Sequence, residues 1–469
     1  MVGTLFVYWL SFIMIGTLLV TGMALYRLEW GLASVLGGYG TARWLHAVIA
    51  YLLIPYVVLH AVLQWGFGRF WTIFKAELYF PHIRAGLIGV ALAAPVAWGL
   101  YVWNAVPTTL AAAYISESLP VPVLDGDPGD SVWRHAEAVT ISTAKGVNDD
   151  QEEPVEVTIK ALHDGKHVYF QFQWDDADAN YKRLPLRKAM DGWRILQTTP
   201  IDWADENVFF EDKLSVYISD VPNEGCAATC HLGVGPHSEM GEKHGVHYAT
   251  EKLGDVWHWK AVRTNDMDKV SDEPGFMDDQ HFGLPDPIPA NFDNKKRYTA
   301  GYHTDPKTGG GYRFNFEKLE PGKPLAESLV RPLVLPVEDN IRPNSDPATS
   351  DFGTQWWIHT WKGIPYSKEA DTYPVGTLIP NMLIDGPFEG DRGDVRAKAA
   401  WYGGQWTLET RRVLDTKSEY DVAFSLEKPV YLSVAVFNRT QTRHTQHIKP
   451  IKFVLEKGPT QPAPLVSQK

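Results

Sequence analysis

The sequence predicts a bundle of three transmembrane helices followed by an antiparallel β-sandwich with long loops. Three observations carry this prediction: long uncharged apolar runs near the amino terminus, short alternating apolar runs after them, and a central stretch rich in Gly, Pro, Asp and His. We expect a membrane anchor at residues 1–106, an extracytoplasmic domain at residues 107–456 and a flexible tail at residues 457–469. A chain of 469 residues with 45% hydrophobic content is long enough for all three parts.

Composition and motifs exclude several classes of protein. The net charge of −12 argues against nucleic acid as a partner. The only two cysteines, Cys226 and Cys230, lie close together, so none remains for a disulfide framework elsewhere. The chain has no glycine-rich phosphate loop, nucleophile elbow or zinc-protease helix, and we therefore predict no catalytic residue.

Three apolar runs at residues 5–26, 44–66 and 85–106 suggest membrane-spanning helices. Each run holds about 20 residues without a formal charge, enough to cross roughly 30 Å of hydrocarbon. The first run is longer than the apolar part of a signal peptide, and a slight excess of basic residues in one loop places the amino terminus inside. We therefore expect a three-pass protein of the cytoplasmic membrane, with its large carboxy-terminal domain on the periplasmic or extracytoplasmic side.

The second apolar run carries two histidines, His46 and His60. At about 100° per residue their rings fall on the same face of a helix, an arrangement that suits two stacked haems. An imidazole in lipid needs a partner, so both are candidate haem ligands. The alternative is that each ring lies near a helix end and meets lipid headgroups.

The membrane part resembles the b-type cytochrome subunits of hydrogenases and formate dehydrogenases. The resemblance rests on Arg43-x-x-His46 at the start of the second run and on Trp9 in the first. It implies a truncated cytochrome b with one or two b-type haems. The family's histidine before the tryptophan is replaced here by Tyr8, and the fourth helix is missing, so the second ligands would come from His82 or another subunit. Without those ligands the segment is only an anchor.

Beyond residue 107, seven runs of alternating apolar residues predict β-strands. They are Val155–Leu162, His167–Trp174, Lys213–Ser219, Gln405–Leu414, Tyr420–Leu426, Val430–Phe437 and Ile451–Leu455. Residues 220–400 contain few such runs, and this stretch is too aromatic for a disordered segment. We therefore predict long loops that enclose a bound group.

The segment Cys226-Ala-Ala-Thr-Cys230-His231 indicates what that group is. Two thiols can form thioethers with porphyrin vinyl groups, and a histidine directly after the second thiol can reach the iron. The usual motif has two residues between the cysteines, whereas this one has three. A disulfide or half of a zinc site is the alternative, but neither requires the histidine. We therefore predict one covalent haem c.

The sixth position of the haem iron needs a thioether or an imidazole. Four such side chains follow the attachment motif closely, namely His237, Met240, His244 and His247. Each alone is more often structural, but their density favours a ligand among them. A thioether would raise the reduction potential and a second imidazole would lower it.

The soluble part resembles the haem-binding subunit of ethylbenzene dehydrogenase and its relatives in dimethylsulfide dehydrogenase, selenate reductase and chlorate reductase. The resemblance rests on Glu-Asp-Lys-Leu at 211–214, Met240-Gly241 and Asp-Val-Trp-His-Trp-Lys-Ala at 255–261, and it covers roughly residues 130–456. It implies a haem that relays electrons from a molybdenum and iron–sulfur enzyme. In that family the haem is b-type and is held by a methionine and a lysine.

The resemblance matches Met240 to the family's methionine, whereas no motif identifies the lysine. His231 after the second cysteine implies a c-type variant, with His231 and Met240 as the axial pair and His237 or His247 as substitutes for Met240. Lys260 and Arg263 are candidates to pair with the haem propionates through charge-assisted hydrogen bonds. The alternative for both is ordinary surface charge.

Three functions remain open on this basis. The first is an electron relay between the membrane, through its quinone pool or b-type haems, and an extracytoplasmic redox partner such as a molybdoenzyme or soluble cytochrome. In that case the chain is an electron-transfer subunit of a respiratory membrane complex. The second is a haem protein that binds a small ligand, or acts catalytically, at an open iron position. The third is a membrane-tethered sensory or binding β-sandwich with purely structural cysteines.

Overall fold

The computed structural model describes most of the residues after 107 and some of those before it. The described residues are 10, 13–23, 36, 39–66, 108–143, 154–197, 208–222, 253–267, 273–282, 302–337, 356–441, 444–445, 447 and 450–458. The chain divides into two compact units, Met1–Pro107 and Thr108–Lys469.

In the first unit, the described helices comprise residues 13–23 and Tyr39–Gly66. Within the described residues, no helix is long and apolar enough to cross a membrane. The predicted three-helix transmembrane bundle is therefore wrong, as are the three-pass inner-membrane location and the membrane cytochrome b that depended on it. The third predicted span, residues 85–106, lies outside the described residues.

The error has a physical cause. The prediction counted formal charges only, but uncharged polar groups also oppose transfer into hydrocarbon. The helix Tyr39–Gly66 contains two histidines, Gln64 and the internal Pro55.

The second unit is built almost entirely from β-strands. Its strands are β1 (Thr109–Tyr114), β2 (Val139–Ser142), β3 (Glu156–His163), β4 (His167–Asp175), β5 (Leu186–Ala189), β6 (Gly192–Ile195), β7 (Lys213–Ser219), β8 (Gly254–Lys260), β9 (Gly275–Phe276), β10 (Asp278–Phe282), β11 (Tyr302–Thr304), β12 (Gly309–Phe314), β13 (Phe316–Lys318), β14 (Val330–Pro332), β15 (Val334–Leu335), β16 (Ile358–His359), β17 (Ile364–Pro365), β18 (Leu378–Ile379), β19 (Met382–Glu389), β20 (Arg396–Tyr402), β21 (Gln405–Val413), β22 (Val430–Phe437) and β23 (Ile451–Leu455). Among the described residues of this unit, short 3₁₀ helices are found at Ser131–His135 and Asp391–Gly393.

Thirteen strands form one sheet in the order β11-β10-β8-β7-β22-β23-β1-β3-β4-β21-β20-β9, with β2 paired to β3 outside that path. Strand β1 runs parallel to both of its neighbours, β23 and β3, and the other pairs of this sheet are antiparallel. The smaller sheets are β12-β19-β16, β13-β14-β6-β5-β18 and β15-β17.

The main core lies between the two halves of the large sheet. Leu214 and Trp257 from one half share a hydrophobic cluster with Phe170 and Trp406 from the other. Because side chains alternate across a strand, each strand supplies every second residue to this core. Burying each large side chain stabilises the fold by about 1.5–3 kcal/mol. The sheet therefore curls so that its two halves face one another.

Six of the seven predicted strands are present, as β3, β4, β7, β21, β22 and β23. The seventh, Tyr420–Leu426, forms no ladder, because side chains bind its backbone. Asp255 accepts a hydrogen bond from the Val422 N–H at 3.1 Å, and Arg412 donates to the Val422 carbonyl. The prediction of long loops at residues 220–400 is also wrong for the described part, where β8 to β20 lie. Many of these strands have only two to five residues, too short for an alternating run.

Glu409 on β21 ties the segment before β2 to the sheet. Its carboxylate accepts hydrogen bonds from Trp133 Nε1 at 2.7 Å, from the Gly126 N–H at 3.0 Å and from Gln171 Nε2 at 3.3 Å. Gly126 has a φ of +83°, and a Cβ there would lie 2.4 Å from the Ala400 nitrogen, so only glycine fits. Burial raises the pKa of Glu409 to about 7, against the opposing effect of these hydrogen bonds.

We expect Glu409 to make the protein less stable as the pH rises. Its folded-state pKa lies above the ordinary 4.5, so its contribution is fully present below pH 4.5 and is lost as the pH rises through about 7. Glu409→Gln should therefore flatten the decline of the unfolding free energy between these pH values. Urea denaturation at a series of pH values measures this slope. The exposed Glu427→Gln is the control, and an unchanged slope in Glu409→Gln would contradict the assignment.

Candidate functional site

The two faces of the β7–β8 ladder carry different chemistry. Lys213 pairs with Lys260 across the ladder, and His258 lies two residues before Lys260. Because side chains alternate, these three residues share one face, while Trp257 and Trp259 point into the main core from the other. The ladder therefore has an apolar face and a basic face.

Two further basic side chains complete a group on the basic face, which we call the cationic cluster: Arg183, Lys213, His258, Lys260 and Arg263. The side chain of Arg183 is 11% exposed, and Lys213 as a whole is 1% exposed. Such burial is rare for basic residues, and it usually requires a partner.

Aromatic rings separate the cations of this cluster. The Phe210 ring centre lies 4.7 Å from the Arg183 guanidinium, 5.1 Å from Lys213 Nζ and 5.8 Å from the Arg263 guanidinium. The Phe437 ring centre lies 4.0 Å from Lys213 Nζ. Cation–π contacts at these distances offset part of the cost of burying the cations.

Glu211 neutralises one member of the cluster. Its Oε1 accepts a hydrogen bond from Arg263 Nε at 2.5 Å, and its Oε2 accepts from the Val262 and Arg263 N–H groups at 2.6 and 3.1 Å. Burial would raise the pKa of Glu211, but Arg263 and Arg183 together hold it below its usual value. The carboxylate is therefore ionised and fully engaged.

Asp278 on β10 neutralises Lys260. Lys260 Nζ donates to Asp278 Oδ2, which also accepts from the Tyr312 hydroxyl at 2.6 Å, while Arg392 Nε donates to Oδ1 at 2.5 Å. Against the effect of burial, Lys260 and Arg392 lower the pKa of Asp278. Lys260 and Arg263 thus each have a carboxylate partner within the protein.

Arg183, Lys213 and His258 form no hydrogen bond with a carboxylate within the described residues. Arg183 Nε lies 3.7 Å from Glu211 Oε1, yet neither Nε nor Nη1 has a hydrogen-bond partner. Lys213 Nζ donates to the Gln441 carbonyl at 2.8 Å and forms no ion pair there. His258 Nε2 is buried without a hydrogen-bond partner.

The pKa values of these three side chains are all lowered. Burial lowers the pKa of Arg183 to about 9, with Arg263 adding to the effect. Burial, and then Arg263, also lower the pKa of Lys213 far below its usual value, and burial, Lys260 and Lys213 do the same to His258. These shifts disfavour the charged forms of Lys213 and His258, so the basic face holds more basic groups than its carboxylates can neutralise.

A second group, near β8 and β10, has more acidic than basic side chains. One carboxylate oxygen from each of Asp255, Asp279 and Asp421 lies within 4.8 Å of the others. Arg412 Nη1 donates to Asp255 Oδ2 at 2.6 Å and lies 3.9 Å from Asp421 Oδ2. Burial raises the pKa of Asp279 well above its usual value and that of Asp255 to about 7. Arg412 thus neutralises part of this acidic group, and the raised pKa values favour the protonated forms of Asp255 and Asp279.

Most of the predicted haem ligands lie outside the described residues. These are Cys226, Cys230, His231, His237, Met240, His244, His247 and His82. The structure does describe the strands on either side of the attachment motif, and Ile218 on β7 pairs with Asp255 on β8. The motif therefore belongs to the connection between two neighbouring antiparallel strands.

The remaining predicted residues are described at least in part. His46 Nδ1 lies 2.8 Å from Thr21 Oγ1, and His60 is helical, with its side chain outside the described residues. Lys260 and Arg263 are not surface charges, because both are buried and paired internally.

Reasoning from sequence missed the unpaired members of the cluster. Lys213 and His258 stood inside the motifs that indicated the family; Lys213 begins the strand β7, and His258 lies between two tryptophans in β8. A basic residue within a strand is the signal that could have identified them. Arg183 precedes β5, and nothing in its local sequence indicates burial.

The fold and the cluster define a class of protein: a curled β-sheet with a charged, aromatic-lined interior. A family model described as ethylbenzene dehydrogenase matches residues 130–448. Since this match includes more than half of the chain, the chain belongs to the ethylbenzene dehydrogenase family.

Other comparisons add little. None of the curated proteins matches the chain. Among solved structures, a family 9 carbohydrate-binding module from Caldicellulosiruptor kristjanssonii in complex with cellotriose is 9% identical, with 74% of this chain and 95% of that chain covered and a TM-score of 0.26. A putative carbohydrate-binding protein from Bacteroides uniformis is also 9% identical, with 75% and 100% covered and a TM-score of 0.28. Likeness at this level decides neither fold nor ligand.

We expect Glu211→Gln to destabilise the protein strongly. The amide NH₂ would face the N–H groups and the guanidinium that the carboxylate now binds, at a cost of about 3–5 kcal/mol in unfolding free energy. Urea denaturation measures this loss. In the control Glu317→Gln, which breaks a pair with Arg331 whose side chains are 53% and 49% exposed, the loss should stay below about 1 kcal/mol. Equal losses in the two variants would contradict the role assigned to Glu211.

Proposed function

We propose that the chain is an electron-transfer protein with one haem c, attached through Cys226 and Cys230 and held on one face of the iron by His231. One observation carries the proposal: the attachment motif lies inside the residues 130–448 that match the family. The resemblance implies a haem that relays electrons, and the motif adds covalent attachment to it. The chain is then a c-type variant within its family.

The second iron ligand in this proposal is Met240, which the resemblance matches to the family's methionine. His237 and His247 are the substitutes, since an imidazole can occupy the same position. A thioether ligand favours a higher reduction potential than a second imidazole, so the identity of this ligand sets which partners can exchange electrons with the haem.

The chemistry of the cationic cluster, which includes residues of the strands before and after the motif in the sequence, suits a haem. A porphyrin has a large apolar surface and two propionate carboxylates. The strands that flank the motif carry surplus buried cations, and Phe210 and Phe437 add apolar surface beside them. A surplus of cations together with aromatic rings suits a ligand that combines anionic and apolar parts.

When bound, the haem supplies one-electron chemistry at its iron. The protein contributes attachment, axial ligation and an electrostatic environment. Basic side chains close to a haem favour its reduced form, because reduction lowers the positive charge on the iron. The redox partner is then another protein, such as a molybdoenzyme or a soluble cytochrome, in a common complex.

A pyridine-haemochrome spectrum tests the attachment. We expect one haem c per chain, and we expect covalent haem to be lost in the double variant Cys226→Ser, Cys230→Ser, because no other thiol is available. Ala227→Ser is the control, since it introduces a hydroxyl into the same segment and leaves both thiols in place. Covalent haem that survives loss of both thiols, or a wild-type chain without haem c, would refute the proposal.

A ligand-binding spectrum separates the relay from a haem with an open iron position. With both axial positions filled, the absorption spectrum should be low-spin and should not change when carbon monoxide is added to the reduced protein. A large shift would instead indicate a haem that binds small ligands. In that case Met240→Ala should leave the shift unaltered, whereas in a relay it should create one.

A further inference from the structure

We propose that Arg183, Lys213 and His258 form a buried binding site for a carboxylate or a similar anion. A haem propionate is the source of this anion, a step that rests on the function proposed above. A free anion from solution has the same chemistry, and the experiment below distinguishes the two sources. This assignment replaces Lys260 and Arg263, whose charges are already neutralised within the protein.

The three side chains have unused hydrogen-bonding capacity. An ammonium group has three N–H donors, and the described partner of Lys213 Nζ is one carbonyl oxygen, that of Gln441. Arg183 leaves Nε and Nη1 without a partner, and His258 leaves Nε2 without one. Buried polar groups are rarely left in this state unless a ligand or an ordered water binds them.

The three side chains are also contiguous. Arg183 and Lys213 lie over the same Phe210 ring, at 4.7 and 5.1 Å from its centre. Lys213 Nζ lies 4.0 Å from the Phe437 ring centre, and the His258 ring centre lies 5.1 Å from the same ring. Lys213 therefore lies between the other two donors: it shares the Phe210 ring with Arg183 and the Phe437 ring with His258.

Charge indicates the sign of the ligand. The nearby carboxylates, Glu211 and Asp278, are engaged by Arg263 and Lys260. A further anion would relieve the repulsion that Arg263 and Lys260 exert on Lys213 and His258. In a buried site, charge-assisted hydrogen bonds from Arg and Lys to a carboxylate are short and strong. The cluster is therefore suited to bind an anion and to reject a cation.

Replacement of Arg183 and Lys213 in the haem-loaded full-length chain tests the site. Arg183→Met and Lys213→Met keep much of each side-chain stem and remove the charge. If an anion is bound, both variants should lower the melting temperature, because they leave a buried anion without its partners. Without an anion, both should raise it, because they remove an uncompensated buried cation. Arg313→Met, which breaks a pair with Asp385 whose side chains are 44% and 35% exposed, is the control.

The reduction potential identifies the source of the anion. If the anion is a propionate, Arg183→Met and Lys213→Met should shift the haem midpoint potential to lower values, and Arg313→Met should not. If the anion is free, the potential should stay constant, and added inorganic phosphate or acetate should raise the melting temperature of the wild type but not of Arg183→Met. Arg183→Lys should restore part of either effect.

The remaining outcomes overturn the proposal. Melting temperatures that rise or stay constant in Arg183→Met and Lys213→Met exclude a bound anion. A fall without a shift in potential and without a response to added anion indicates a purely structural role. If the wild-type chain carries no haem c, the proposed function fails, but the melting temperatures with added phosphate or acetate still test the anion site.

Discussion

The buried carboxylate of Glu211 is the interaction on which the interior of the second unit depends. It joins the segment before β7 to the turn after β8, through two backbone N–H groups and the Arg263 guanidinium. A single carboxylate can neutralise only one of the cations around it. Arg263 has the shorter contact, and Arg183 remains 3.7 Å away without a hydrogen bond. The surplus of basic groups over carboxylates follows from this shortage of acids.

Strand alternation separates the two kinds of buried charge. On β10, the neighbours Asp278 and Asp279 point to opposite faces, because Asp278 pairs with His258 and Asp279 with Trp257. The pKa of Asp278 is lowered by Lys260 despite burial, whereas burial raises the pKa of Asp279. Two adjacent aspartates thus have pKa values shifted in opposite directions. The sheet keeps an acidic group on one face and a basic group on the other.

The strands of the second unit were predictable where they were long and alternated clearly, as at His167–Asp175 and Val430–Phe437. The short strands between residues 254 and 402 were not predictable, since two or three residues are too few to show an alternation of apolar and polar side chains. Family membership was predictable because its motifs lie in the well-formed strands β7 and β8. The membrane prediction failed because uncharged residues were equated with apolar ones.

The candidate site was predictable only in part. Lys260 and Arg263 were identified as basic residues near the tryptophans, but their partners Asp278 and Glu211 come from other segments of the chain. Sequence alone does not reveal which buried basic side chain forms a hydrogen bond with a carboxylate and which does not. Arg183 lies far from β7 and β8 in the sequence and joins the cationic cluster only in the folded chain. Its Nε and Nη1 have no hydrogen-bond partner among the described residues, which is unusual for a buried ion-pair network.

We propose that the covalent haem and the cationic cluster form one binding site. The thioethers would hold the haem to the connection between β7 and β8, and the cationic cluster would compensate its carboxylates. Mass spectrometry of the peptide that contains Cys226 and Cys230, from a chain produced with haem attachment, tests this most directly. We predict that the peptide carries the mass of one haem bound to both sulfur atoms. A peptide with free thiols or a disulfide would contradict the account.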